Sequence, residues 1–353
     1  MNATVSALCT ATSSAASRSA QRLPTPAQLC ARLPRSVSAA ESVQQGREAV
    51  RAMLRGEDDR LLVITGPCSL HDPDSALDYA QRLAELAPQV SDQMLLVMRA
   101  YVEKPRTTVG WKGLLYDPHL DGSNDMAGGL AMARRLMLDI AELGLPLATE
   151  LLQPMAAGYL DDLLSWAAIG ARTSESQIHR EMVSGLDLPV GFKNGTDGSV
   201  AIACDAMRSA AHPHQHFGMD EQGRAAMIQT PGNPDTHLVL RGGHGGPNYQ
   251  PEAVAAACTA LQAQGIAPGL LVDCSHANSG KDPARQPQVL ESVVAQRLAG
   301  QHHLRGVMLE SHLFDGCQPL TAQLEYGVSV TDACLGWEGT AQALLRAADA
   351  LRG

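Results

Sequence analysis

Between residues 61 and 312 the chain repeats one pattern eight times: a short apolar run that closes on Gly, Pro or a polar residue. The runs are LLVITGPCS (61–69), MLLVMRA (94–100), LPLATEL (145–151), AAIGAR (167–172), LPVGFKN (188–194), HLVLRGG (237–243), GLLVDCSH (269–276) and LRGVMLESH (304–312). Each is apolar on consecutive rather than alternate positions, as a strand buried on both faces must be. Between them lie stretches with apolar residues three and four apart, the spacing of a helix face. These are residues 73–90, 124–144, 156–168, 197–211, 251–265 and 287–300. Strand followed by helix, repeated eight times, predicts an α/β fold in which the strands close into a (β/α)8 TIM barrel. A doubly wound sheet is the alternative, but no G-x-G-x-x-G follows the first strand.

The barrel accounts for residues 61–353, preceded by an N-terminal tail and extension over 1–60 with one helix in AAESVQQGREAVRAMLRG. Near 211–235 the segment HFGM–DEQG–RAAMIQT reads as an inserted hairpin around a turn-forming centre. The first forty residues hold no Asp or Glu and four Arg, a composition like that of an organellar transit peptide. They have no amphipathic Arg face, so a disordered Ala/Ser tail is the simpler reading.

Hydrophobic residues make up 45% of the 353, enough for a large core, yet only 3% are aromatic, so aliphatic side chains and Met must fill it. The net charge of −10 argues against general nucleic-acid binding, which needs a basic face. No apolar run approaches the roughly 20 residues that span a bilayer. Eight cysteines without a C-x-x-C pair suit a reduced intracellular protein, with the cytoplasm as default location.

Chemistry in this barrel class sits at the carboxyl ends of the strands. In order, those ends carry Cys68, Arg99, Glu150, Arg172, Lys193, Arg241, His276 and Glu310. Arg99, Arg172, Lys193 and Arg241 form an inner set of cations, and YVEKPRTTVGWKG adds Lys104, Arg106 and Lys112. Clustered interior cations require anions. Few carboxylate partners are evident nearby, so the expected counterpart is a strongly anionic, phosphorylated ligand, with or without a carboxylate. Cys68, His276, Glu310 and Asp332 offer a thiolate, an imidazole and two carboxylates. Singly, Cys68 reads first as an inert core thiol and His276 as a satisfied polar residue; together they can surround one divalent ion, whether manganese, iron, cobalt or zinc. The glycine-rich pieces KNGTDGS and RGGHGGPNY suit either phosphate cradles or plain turns. The histidines of HPHQH and QHH read as exposed loop residues without a metal role.

At these same residues the chain resembles a known family. GPCSLHDP, EKPRTTVGWKG, GARTSESQ, PVGFKNGTDG, DCSHANS, ESH and YGVSVTDAC are similar to the microbial type I 3-deoxy-D-arabino-heptulosonate-7-phosphate (DAHP) synthases, from about residue 25 to the C-terminus. The resemblance implies condensation of phosphoenolpyruvate with erythrose 4-phosphate, the first step of the shikimate pathway, in a barrel with an N-terminal extension. It implies a metal held by Cys68, His276, Glu310 and Asp332. Arg99, Lys104, Arg172, Lys193 and Arg241 would hold phosphoenolpyruvate, and Arg106 and Thr107 would clamp the aldose phosphate. Glu150 joins the substrate-binding set, and Lys104 is the candidate proton donor. Feedback by an aromatic amino acid and a homo-oligomer are implied too, LATE and RQPQVLESVVAQ looking most like a tyrosine-sensitive branch. One departure stands out: RGGHGGPNY places His244 where the family has lysine and adds a residue, so a basic contact near the substrate would be weakened.

Overall fold

A computed structural model describes residues 20–353. The transit-peptide or tail reading of the first forty residues therefore lies, over 1–19, outside the described residues. Over 26–40 it is replaced by structure: helices α1 (Pro26–Arg32) and α2 (Val37–Arg55), where a single extension helix was expected. Thr25 and Gln28 close a capping box at the start of α1, each side chain bonding the other's backbone N–H.

Eight parallel strands form a closed barrel, one for each apolar run. They are β1 (Leu61–Gly66), β2 (Met94–Arg99), β3 (Leu147–Glu150), β4 (Trp166–Ile169), β5 (Val190–Lys193), β8 (Thr236–Leu240), β9 (Leu270–Asp273) and β10 (Leu304–Glu310). The order around the barrel is β1-β10-β9-β8-β5-β4-β3-β2, with β1 pairing β10 to close it. The hairpin of β6 (His214–Met219) and β7 (Ala225–Thr230) stands apart as an antiparallel pair in which Phe217 faces Met227. His214 and His216 lie on β6 and are half-buried, not in an exposed loop; the His214 ring reaches Ser209 O at 2.8 Å.

The unbroken apolar runs have their cause in two cores. Leu62, Ile64, Val97, Ala148, Trp166, Val239, Leu271 and Met308 fill the inside of the barrel. Their neighbours Leu61, Val63, Leu96, Leu270 and Val307 face the helical layer. Val50 and Met53 of α2 belong to the inner cluster, so α2 stops the amino-terminal mouth; burying each contributes about 1.5–3 kcal/mol. Function is left to the opposite, carboxyl end.

The outer layer comprises α3 (Pro73–Val90), α4 (Met126–Glu142), α5 (Pro154–Leu160), α6 (Gln177–Ser184), α7 (Ala201–Ala210), α8 (Pro251–Ala263), α9 (Gln286–Leu298) and α10 (Trp337–Arg352). Helices α6 and α10 are additional to those the periodicity predicts. The predicted 156–168 helix ends early, at Leu160, because Trp166 to Ile169 is needed as β4. No helix among the described residues is long and apolar enough to cross a membrane.

Candidate active site

The carboxyl ends of the strands gather the predicted residues. Arg99, the last residue of β2, is 1% exposed and donates from Nη2 to Glu310 Oε1 at the end of β10, 3.2 Å away. Its guanidinium lies 3.8 Å over the Tyr101 ring. Burial opposes the Arg99 charge, but Tyr101, Glu310 and Cys68 outweigh it and raise the pKa. Lys104 donates from Nζ to Cys68 Sγ at 3.0 Å and to Cys68 O at 3.2 Å. Burial, then the charge of Glu310, pushes the Cys68 thiol up to about 11, with Lys104 pulling the other way. An uncompensated thiol here stays protonated at neutral pH; becoming a thiolate requires a cation stronger than Lys104.

Cys68, Glu310 and Asp332 present donor atoms that all lie within 4.8 Å of one another. Asp332 Oδ2 is 3.8 Å from Cys68 Sγ. A thiol and two carboxylates converging this tightly from segments some 260 residues apart match the donor chemistry of a divalent transition-metal site. The fourth expected ligand, His276, lines the same cavity as Glu310 and Asp332, but its imidazole is turned toward other partners. Its Nε2 is 3.4 Å from Lys193 Nζ and 3.5 Å from Asp273 Oδ2. The residue sits at a φ of +55°, a left-handed conformation uncommon for a non-glycine and a mark of local backbone strain.

The expectation of few nearby carboxylates needs correcting. Besides the Arg99–Glu310 pair, Lys193 Nζ donates to Asp273 Oδ2 at 2.7 Å, both side chains being buried. Asp273 ends β9, and its Oδ1 accepts from the Ser275 backbone N–H and hydroxyl. Its burial would raise its pKa, but Lys193 and His276 hold it well below the usual carboxylate range. The signal for Asp273 was present: a lone acid closing the apolar run LLVD can only be buried and therefore paired. Glu103 was passed over as well. This carboxylate is 2% exposed and accepts hydrogen bonds from the N–H groups of Leu152 and Gln153 and from the Tyr116 hydroxyl. Burial lifts it to about 7.

Arg172 and Arg241 remain without a carboxylate. Neither takes part in an ion pair among the described residues; Arg172 instead donates to Thr107 Oγ1 at 3.2 Å. Burial lowers the Arg241 pKa, and Arg172 adds to the depression while Asp273 opposes it. Arg106 is exposed and donates from Nε to Trp111 O at 2.6 Å, bracing the loop from 104 to 112. Glu150, 8% exposed, ends β3 against Gly170, where any added Cβ would meet its Oε1 at 2.3 Å. The two glycine-rich loops lie against each other: a Cβ on Gly243 would come within 2.4 Å of Gly198 N. His244 is exposed in a turn bridged by Gly243 and Gly246, with its N–H donating to Thr196 O.

Comparison with known proteins extends this geometry. A model described as the DAHP synthetase I family matches residues 37–345. The chain is 54% identical to the tyrosine-sensitive phospho-2-dehydro-3-deoxyheptonate aldolase of Escherichia coli, with 92% of each chain covered. It is 50% identical to the tryptophan-sensitive aldolase of Enterobacter agglomerans, over 93% of this chain and 94% of that one. The solved phospho-2-dehydro-3-deoxyheptonate aldolase of Francisella tularensis superposes with a TM-score of 0.93 at 40% identity, over 96% of this chain and 99% of that one. The chain belongs to the DAHP synthetase I family and is an enzyme, a transferase of the 3-deoxy-7-phosphoheptulonate synthase class.

Proposed function

We propose that this enzyme condenses phosphoenolpyruvate with D-erythrose 4-phosphate to give DAHP and phosphate, and that it needs one divalent metal held by Cys68, His276, Glu310 and Asp332. The observation that carries the reading is the convergence of Cys68, Glu310 and Asp332 within 4.8 Å, in a mouth that also holds Arg172 and Arg241, which lack carboxylate partners among the described residues. A bound manganese, iron, cobalt or zinc ion would supply Lewis-acid polarisation of an aldehyde oxygen. Joining the three close donors requires His276 to turn from Asp273.

The protein's own groups do the rest. Arg172 and Arg241 supply unpaired guanidinium charge for the phosphate and carboxylate of phosphoenolpyruvate, with Arg99, Lys104 and Lys193 lining the same mouth. Arg106 and Thr107 hold the phosphate of the aldose, and Glu150 completes the substrate-binding wall. Both substrates are thereby fixed with the enol carbon facing the aldehyde, a bimolecular encounter turned into a positioned one. Lys104 is held charged against its burial by Cys68, once that thiol is ionised as a metal ligand, and by Glu310, so it can donate a proton to the alkoxide formed as the new C–C bond closes. Water then adds to the second carbon of the former phosphoenolpyruvate, and phosphate leaves with C–O cleavage.

Relatives are named for sensitivity to tyrosine, phenylalanine or tryptophan, which supports feedback inhibition of this chain by an aromatic amino acid. Phe217 at 85% exposure and Met227 at 65% give the hairpin an apolar outer face, which supports a homo-oligomer, dimer or tetramer.

The test follows phosphoenolpyruvate loss at its ultraviolet absorbance, with erythrose 4-phosphate or arabinose 5-phosphate, with and without chelator, then with each aromatic amino acid. Turnover with erythrose 4-phosphate that stops on chelation is expected. Equal turnover with the arabinose substrate, or full activity after exhaustive metal removal and in Cys68→Ala, would refute the reading.

A further inference from the structure

We propose that Cys317 is the first protein ligand of the divalent ion on its way inward, a thiol at the mouth of a donor-lined cavity that passes the ion to Asp332, Glu310 and Cys68. The inference rests on the metal-dependent reading above. Cys68 is 0% exposed, so a hydrated ion cannot meet it first. Cys317 is the exposed thiol among the described cysteines, and it lines a cavity of about 230 Å³ together with His276, Lys281, Glu310 and Asp332. Three chemical types of metal donor thus share one cavity running from the surface to the buried carboxylate of Glu310.

The backbone fixes this placement. Gly316 and Cys334 exchange N–H···O bonds of 2.8 and 3.0 Å, and the Gln318 N–H donates to Ser329 O at 2.8 Å. Cys317 is therefore stitched alongside the loop that carries Asp332, not left on a free strand of chain. A second, independent observation points to a cation in the cavity. Glu310 is 2% exposed, yet only its Oε1 accepts a hydrogen bond, from Arg99; Oε2 takes none among the described residues. Arg99 answers one oxygen of this carboxylate, and the other is left for a cation that enters the cavity Glu310 lines. From Asp332 the last step is short, since its Oδ2 lies 3.8 Å from the Cys68 sulfur.

The chemistry suits a relay. Binding of an aqueous ion displaces the thiol proton to solvent, and stepwise replacement of water by sulfur and then carboxylate avoids stripping the ion bare. A sulfur at the mouth also biases capture toward cobalt, zinc and iron over calcium and magnesium, which prefer oxygen.

Cobalt(II) added to metal-free protein tests this, because a cobalt–thiolate bond gives charge-transfer absorbance in the near ultraviolet. In Cys68→Ala that band should persist through Cys317, with cobalt held roughly 10- to 100-fold more weakly, and vanish in Cys68→Ala/Cys317→Ala. Cys317→Ala and Cys317→Ser, changes at an exposed position, should reach the full wild-type band but about tenfold more slowly. Circular dichroism verifies that each variant is folded. No thiolate band in folded Cys68→Ala, or filling of both Cys317 variants at the wild-type rate, overturns the role of Cys317. A wild-type protein without any thiolate band would instead overturn the metal reading itself.

Discussion

Replacing Asp273 with Asn removes one charge from a buried pair and leaves the shape intact. In the wild type Lys193 Nζ sits 2.7 Å from Asp273 Oδ2, with side-chain exposures of 4% and 1%. An asparagine keeps its oxygen on the Ser275 N–H and hydroxyl, which places its amide N–H2 against the Lys193 ammonium, donor against donor. Breaking a buried pair from one side typically costs about 3–5 kcal/mol, because the surviving charge is uncompensated. For 353 residues at ~2.1 cal/mol/K each, the unfolding entropy is roughly 0.7 kcal/mol/K, so the melting temperature should fall by about 4–7 °C. The decisive measurement repeats the melt with phosphoenolpyruvate. If the mouth is built for an anion, the ligand partly answers the orphaned Lys193 and stabilises the variant more than the wild type. A loss below about 1 kcal/mol, or an identical ligand-induced shift in both proteins, would refute the reasoning that Lys193 depends on Asp273.

Glu103→Gln tests the buried carboxyl held at about 7. Folding favours its protonated form, so its contribution is fully present below the ordinary value of 4.5 and lost as pH rises through about 7. That interval corresponds to roughly 3 kcal/mol, and glutamine can keep all three hydrogen bonds by presenting its oxygen to the two backbone N–H groups. The stability difference, variant minus wild type, should grow between pH 4.5 and 7 and then level; a flat difference in denaturant titrations would count against it. Arg172→Ala removes an exposed, unpaired guanidinium that bonds Thr107, and should raise a substrate KM by roughly 10- to 100-fold with little change in melting temperature. An unchanged KM for both substrates would remove Arg172 from the binding set.

The eight strands were legible because burial on both faces leaves no freedom in composition: β1 reads LLVITG whichever face each residue takes. Helix α6, QIHREMVS, escaped because its amphipathic pattern runs for only eight residues and begins without a side-chain N-cap bond. Helix α1 was hidden by its Ala- and Ser-rich surroundings, although Thr25 followed three residues later by Gln28 is itself a start signal. At the site, strand-end position located Arg99, Lys193 and Glu310 individually. It could not assign partners, since Arg99 meets Glu310 across 211 positions and Lys193 meets Asp273 across 80. Those pairings exist only in the assembled barrel, where each reaches across an intervening strand, β1 in one case and β8 in the other. The orientation of His276 was equally out of reach, because it depends on a positive φ that no neighbouring side chain announces.

Closure also resolves how a protein of net charge −10 sustains a cationic mouth. Of the four inner cations, Arg99 and Lys193 are buried deepest, and each has a fixed carboxylate, Glu310 and Asp273. Their desolvation is met within the fold itself, so they serve as rigid walls rather than as free charge. Arg172 and Arg241, nearer the surface, pay less for standing unpaired; burial is the main cause of the lowered Arg241 pKa, and repulsion from Arg172 adds to it. Repulsion between two held guanidinium groups is relieved most fully by a ligand of two negative charges, which a phosphate dianion supplies and a monocarboxylate does not. Since Arg172 also bonds Thr107 on the 104–112 loop, an anion binding there draws on both halves of the mouth at once. The same division explains why neutralising a paired cation should damage the fold first and binding second, whereas Arg172 should show the reverse order.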